Sequence, residues 1–121
     1  MIFKVFEYHT IFLEDFMTYE EIVAKVRKIF KDTDVSMIDG HYAYQFNIEG
    51  EGEGAFYIEV KEGELHIEPY EYYDRDAAFI CTSDVLFKLI SGKLDPVKAF
   101  TIGKLKVEGD LGKALKLKDF I

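Results

Sequence analysis

The chain has 121 residues, enough for one compact domain and too few for two, and its 49% hydrophobic and 31% charged content excludes a disordered or fibrous protein. Fifteen basic against 23 acidic side chains give a formal net charge of −8, which argues against binding nucleic acid by phosphate neutralisation. Eleven Phe and eight Tyr, with no Trp, exceed what close packing of a small core needs, so either the core is bulky or some rings line a cavity.

Residues 1–16, MIFKVFEYHTIFLEDF, place Ile2, Val5, Phe6, His9, Phe12, Leu13 and Phe16 on a helical face, although their β-branched and aromatic content also suits a strand; a helix is expected. Thr18 and Glu21 have the spacing of a capping box, with Met17 able to staple onto Ile22. Ile22, Val23, Val26, Ile29 and Phe30 then recur at helical spacing, predicting a helix over 18–31. The period changes to two at Tyr44, Phe46 and Ile48. GEGEG at 50–54 turns the chain, and Phe56, Ile58 and Val60 return it as a hairpin. Glu62 and Gly63 turn it again into a third strand carrying Leu65 and Ile67, ended by Pro69. DAAFICT at 76–82 is apolar on both faces and predicts a strand covered on both sides. Ser83 is the expected cap of a helix through Ile90, and Pro96 opens a short one. Gly103 opens a last strand, GKLKVEG, and Asp110 caps a final helix carrying Leu111, Ala114 and Leu115 on one face. This order predicts an α+β domain, an antiparallel sheet with helices on one side.

Charge is uneven along the chain. Residues 1–80 hold 7 basic and 18 acidic side chains, while 81–121 hold 8 and 5. Those late lysines suit anionic headgroups or a coenzyme A phosphate, and a solvated surface explains them equally well. The acidic, aromatic run EPYEYYD at 68–74 reads as a solvated loop whose Tyr rings shield a sheet edge, ahead of a cation or sugar site. His9, His41 and His66 have no metal-pair spacing, and GEGEG lacks the strand-to-helix context of a phosphate loop. No metal or cofactor is expected. Cys81, between apolar neighbours, reads as a buried hydrophobe; alone, it cannot close an internal disulfide, which fits a cytoplasmic setting. Asp76 or Glu108 as a catalytic base is the weakest reading, for no acid and base stand at a defensible spacing.

The run ISGKLDPVKAFTIGKLKVEGDLGKALKL, residues 90–117, resembles the C-terminal signature of the sterol carrier protein type two family. The matching positions are Gly92, Leu94, Pro96, Ala99, Phe100, Gly103, Lys104, Leu105, Lys106, Val107, Gly109, Asp110, Ala114 and Leu117. The likeness extends more loosely over 40–121. It implies a five-stranded, mainly antiparallel sheet with helices on one face, enclosing an apolar tunnel for a sterol, fatty acid or fatty acyl chain, with no catalytic residues. The chain departs from the family in three places: Phe56 or Tyr57 stands where Trp is common, residues 1–16 are additional, and the C-terminal KDFI lacks a peroxisomal address.

Alternation and helix phase together with the resemblance nominate a lipid-lining set of Phe46, Ile48, Phe56, Ile58, Phe79, Leu86, Ile90, Phe100, Ile102, Leu105, Leu115 and Phe120. The expectation is a single domain over 1–121 that binds, and possibly transfers, a hydrophobic small molecule without catalysis, touching a membrane at most transiently. The alternative is an accessory or dimerisation module, including a homodimer, whose core is filled.

Overall fold

The computed structural model describes residues 17–120, so the helix expected within 1–16 lies outside the described residues. Helix α1 spans Tyr19–Phe30, β1 Tyr42–Glu49, β2 Gly54–Lys61, β3 Glu64–Glu68 and β4 Ala77–Thr82. Then come α2 Ser83–Ile90, α3 Pro96–Thr101, β5 Lys106–Gly109, α4 Leu111–Leu115 and a 3₁₀ turn, Lys116–Asp119. The five strands form one open sheet in the order β3-β2-β1-β4-β5.

Helix α1 starts where the capping box predicts. The Thr18 hydroxyl accepts from the Glu21 N–H at 3.1 Å, and the Glu21 carboxylate accepts from the Thr18 N–H at 3.1 Å. Ile22, Val23, Val26 and Phe30 are buried on its inner face. The start of α1 sits directly on the β1–β2 turn: a Cβ at Gly52 would lie 2.4 Å from Ile22 Cδ1, and one at Gly54 would lie 2.4 Å from Tyr19 Cδ1. Arg27 ties the helix to β3 by donating twice to the Ile67 carbonyl, at 3.0 and 2.9 Å.

Three strand pairs are antiparallel, but β1 and β4 run parallel. The sheet is therefore mixed rather than wholly antiparallel, because after β3 the segment 69–76 carries the chain back across the sheet to the end where β1 began. The β2–β3 turn has two central residues, Glu62 at φ 53° and Gly63 at φ 76°, the pair of positive angles that matches strand twist in a tight hairpin.

Register sets the core. Phe56, Phe46, Phe79 and Val107 lie directly opposite one another across β2, β1, β4 and β5. Phe46 stacks on Phe56 at 5.2 Å and on Phe79 at 5.1 Å between centroids, and such ring pairs add about 0.5–1.5 kcal/mol each beyond the area they bury. Strand β4 is covered on both faces, as its pattern predicts: Ala77, Phe79 and Cys81 are buried on the helix side and Ala78 on the other. The loop 69–76 lies over the outer face instead of only fringing an edge. The Tyr72 N–H donates to the Oε1 of buried Gln45 at 3.0 Å, and the Tyr72 ring packs edge-on against Tyr57. Tyr70 and Tyr73 stay exposed.

Two local boundaries differ from expectation. Thr82, not Ser83, caps α2: its hydroxyl accepts from the Val85 N–H at 3.3 Å, because the extended backbone that ends β4 is already the conformation a cap requires. Strand β5 starts at Lys106 rather than Gly103, because the N–H groups of Lys104 and Leu105 turn back to the Ala99 carbonyl, at 2.9 and 3.2 Å, and close the end of α3.

Gly109, at φ +99°, ends β5 against the start of β4, and a Cβ there would meet the Asp76 carbonyl oxygen at 2.6 Å and Ala77 Cα at 3.0 Å. Gly92 has a similar φ of +78° with open space around it. In urea denaturation, Gly92→Ala should cost only the left-handed backbone penalty of about 1–2 kcal/mol, while Gly109→Ala should cost roughly 1–3 kcal/mol more because backbone must move. Replacing Glu62 by Asn, which tolerates positive φ, should stabilise by about 0.5–1 kcal/mol in the same assay.

Candidate functional site

Helix α3 is short and held by one buried contact, Ala99, while Pro at its first position fixes its entry. The tight return of Lys104 and Leu105 onto Ala99 brings β5 beneath it. Across β5, Asp110 caps α4 by accepting from the Lys113 N–H at 3.0 Å. The middle of α4 is then tied to the sheet twice, since the buried Tyr44 hydroxyl donates to the Lys113 carbonyl at 2.6 Å and the Lys113 ammonium donates to Asp76 at 3.0 Å.

Between α3 and α4 lies a cleft of about 170 Å³. Phe79 and Val107 face it from the sheet, Leu105 from the turn that leads into β5, Pro96, Val97 and Phe100 from α3, and Leu111, Ala114 and Leu115 from α4; Lys118 is the one charged lining residue. The Lys118 ammonium lies 3.7 Å from Asp95, beside that opening.

Of the sequence-nominated lining set, Phe79, Phe100, Leu105 and Leu115 meet at this cleft. Phe46, Ile48, Phe56, Ile58, Leu86, Ile90 and Phe120 are buried core residues instead. Phe120 lies in ring contact with Tyr42 and Tyr44, at 5.8 and 5.9 Å. Alternation correctly turns Phe46, Ile48, Phe56 and Ile58 inward, but side chains from neighbouring strands fill the space they face. Ile102 is 51% exposed and outside the cleft, because it caps α3 beyond the last turn that packs. Pro96, Val97, Val107, Leu111, Ala114 and Lys118 also line the cleft and are outside the nominated set. A signal for Val97, Leu111 and Ala114 was present in the helical spacing of Val97 with Phe100, and of Leu111 with Ala114 and Leu115.

The ionisable groups are engaged in structure. Asp76 accepts from the Ala43 N–H at 2.8 Å and from Lys113, leaving no free carboxylate oxygen for a base; Glu108 stands exposed on the outer face. Hydrogen bonding to Asp76 raises the Lys113 ammonium above its ordinary value. Burial pushes the Cys81 thiol up to about 12, in keeping with a buried hydrophobe. On the outer face, Glu59 accepts from Tyr72 at 2.7 Å and pairs with His41 at 2.6 Å. The bond to Glu59 pushes the Tyr72 hydroxyl up to about 12. Burial would raise the Glu59 carboxyl, but the bonds from Tyr72 and His41 outweigh it and hold the group below its ordinary 4.5. His66 lies 3.3 Å from Glu64 at the surface. Among the described residues no cluster of His, Cys, Asp and Glu could hold a metal ion.

The profile of the SCP-2 sterol transfer family matches residues 25–121, taking in the second half of α1, the whole sheet and both walls of the cleft. The chain belongs to this family. The SCP-2 family places it among lipid-binding and lipid-transfer domains, and its mixed open sheet with helices is the fold of solved sterol carrier proteins. A Xenopus tropicalis hydroxysteroid dehydrogenase-like protein 2 is 29% identical over 109 residues, covering 89% of this chain and 26% of that protein. The chain thus spans about a quarter of that relative's length. The solution structure of sterol carrier protein domain 2 of Helicoverpa armigera is 31% identical, with a TM-score of 0.52 over 96% of this chain and 84% of that one. A palmitated SCP2L2 from Aedes aegypti, 17% identical, gives a TM-score of 0.58 over 85% of this chain and 93% of that one.

Because the Glu59 carboxyl is lowered in the folded chain, it contributes stability that is present above the ordinary carboxylate value and lost as pH falls through the lower folded value. Glu59→Gln should therefore cost about 1–3 kcal/mol at neutral pH, where it removes charged hydrogen bonds. Urea titrations at a series of pH values should show the gap between variant and parent narrowing below about pH 4.

Proposed function

We propose that the chain is a non-catalytic carrier domain that takes the apolar end of a fatty acid or fatty acyl group into the cleft between α3, β5 and α4. The observation that carries this reading is the lining: nine of ten residues are apolar, from two helices and the sheet, in a protein whose family binds lipids. Recognition then works by removing ligand carbon from water, at about 0.8 kcal/mol per methylene.

Size favours a chain over a fused ring system. An apolar cavity near 150 Å³ holds about one benzene, so about 170 Å³ takes the last few carbons of an alkyl chain and not a whole steroid nucleus. The stacked Phe46, Phe56 and Phe79 rings stop deeper entry. Lys118, the sole charge on the lining, suits a carboxylate or other anionic head. The palmitated Aedes aegypti relative, of the same fold, supports a fatty acyl ligand.

The filled inner face also favours a second reading, an accessory module within a longer protein, and the short match to the Xenopus relative agrees with that arrangement. The two readings separate on ligand binding. A fluorescent fatty acid titrated into the chain should bind and be displaced by palmitate but not by a sterol. Phe100 is 49% exposed, so Phe100→Asp should fold normally and weaken the fatty acid at least about tenfold by placing a charge on the apolar wall. A folded chain that ignores every amphiphile, or a Phe100→Asp variant that binds unchanged, rejects the carrier reading and leaves the accessory one.

A further inference from the structure

Among the described residues, strand β5 has a neighbour on one side only, so its other side is an open edge of the sheet. The Asp110 N–H donates to the Asp76 carbonyl at 2.8 Å, which makes 110 and 76 a hydrogen-bonded pair in line with the β4–β5 ladder. Because antiparallel pairs alternate, the backbone groups of Glu108 and Lys106 also turn toward β4, and those of Val107 and Gly109 turn away from it. On that side the Val107 and Gly109 N–H groups have no acceptor among the described residues. Lys106, Glu108 and Gly109 are exposed.

Sheet edges are commonly guarded by charge, above all by lysine, which repels a second copy of the same edge. This edge carries both signs instead, in an order that is symmetric about its middle. Lys106 and Glu108 flank Val107, and Lys104 and Asp110 continue that opposition of sign one step further out. Val107 faces the cleft, so Lys106 and Glu108 share the outer face of the sheet. Neither is in an ion pair among the described residues.

We infer that β5 is a self-association edge, at which two copies of the chain join antiparallel about a two-fold axis through Val107, with Lys106 of each copy opposite Glu108 of the other. Backbone and charge together select this register. The outward backbone groups belong to odd-numbered residues, so bonds form only where odd-numbered residues face one another. A pairing centred on Lys106 would set that lysine against itself, and one centred on Glu108 would set two carboxylates together; like charges directly opposite destabilise a strand pair. Centred on Val107, every charged pair joins opposite signs, and the two Val107 residues exchange N–H···O bonds. The axis stands normal to the sheet, so the helices of both copies cover one face and their clefts lie side by side. The row Phe56, Phe46, Phe79 and Val107 then runs on into its copy. Because the match of sign is between the edge and itself, it favours a second copy over a strand of another protein. Only 4 residues of each copy form the strand, which makes the contact weak and reversible. The inference concerns the edge and its charges, and holds whatever the cleft contains.

The test is sedimentation equilibrium of the full chain over roughly 10 μM to 1 mM, the range in which weak interfaces form. The parent should pass from monomer to dimer, and its Val107 amide should exchange with deuterium more slowly at the high end, where the second copy supplies an acceptor. Lys106→Glu alone and Glu108→Lys alone should each weaken association at least about tenfold, since each sets like charges opposite one another on both sides of the axis. An equimolar mixture of these two variants should associate as the parent does, because every charged contact across the mixed pair again joins opposite signs. Neither side chain lines the cleft, so fold by circular dichroism and fatty acid binding should survive each change, which keeps a failure here separate from a failure of the carrier reading. A parent that stays monomeric at about 1 mM, a dimer indifferent to either single change, or variants that fail to recover on mixing overturns the inference. So does a Val107 amide already protected at the lowest concentration, since the edge would then be covered within one copy.

Discussion

One side chain, Asp76, joins the parts that must meet for the cleft to exist. Its carboxylate accepts from the Ala43 N–H and from the Lys113 ammonium, its own N–H donates to the Ala43 carbonyl, and its carbonyl accepts from the Asp110 N–H. The start of β1, the start of β4, the end of β5 and the middle of α4 are thereby held at one point. Gly109 belongs to the same junction, since any larger residue would drive β5 away from the Asp76 carbonyl. An acid placed here is committed to architecture, and the same bonds that remove it from chemistry place one wall of the cleft.

From that junction the division of the sheet follows. On the β2, β1 and β4 side, rings occupy the inner face and close on one another, with α1 and α2 completing the burial. On the β5 side the covering elements are only short helices, each held by few contacts, and the apolar space is left open. Packed core and open cleft are thus separated across the sheet, from strand to strand. On the proposed carrier reading, a ligand tail entering beside Phe79 would meet a preformed surface and need not part the core, which would keep the ordering cost of binding low.

Much of this was legible in the residues. The capping box at Thr18 and Glu21, the alternation from Tyr44 to Val60 and the two-sided apolarity of Ala77–Cys81 each describe a local constraint, and each reappears in the structure. The run 90–117 likewise identifies the family. What local patterns do not carry is distance across the chain. The parallel pairing of β1 with β4 depends on how 69–76 returns over the sheet, and nothing in either strand's alternation states it. The nominated lining set divides between cleft and core for a related reason. Alternation reports which way Phe46 and Phe56 point, but whether the space before them is empty depends on what neighbouring strands deliver there. Phe100 and Leu115 do line the cleft, and only the placement of α3 against α4 shows that they also stand exposed at its rim.

The parallel pairing has a consequence for how the chain is made. Strand β1 is the centre of the finished sheet, yet its partner β4 emerges from synthesis well after the β1–β3 meander is complete. Until residue 82 is available, one whole edge of β1, with Tyr44, Phe46 and Ile48 beside it, has its backbone groups unpaired, which is the condition for association between nascent or truncated chains. Fragments ending before β4 would therefore be expected to aggregate, and fragments that reach Thr82 to have satisfied that edge.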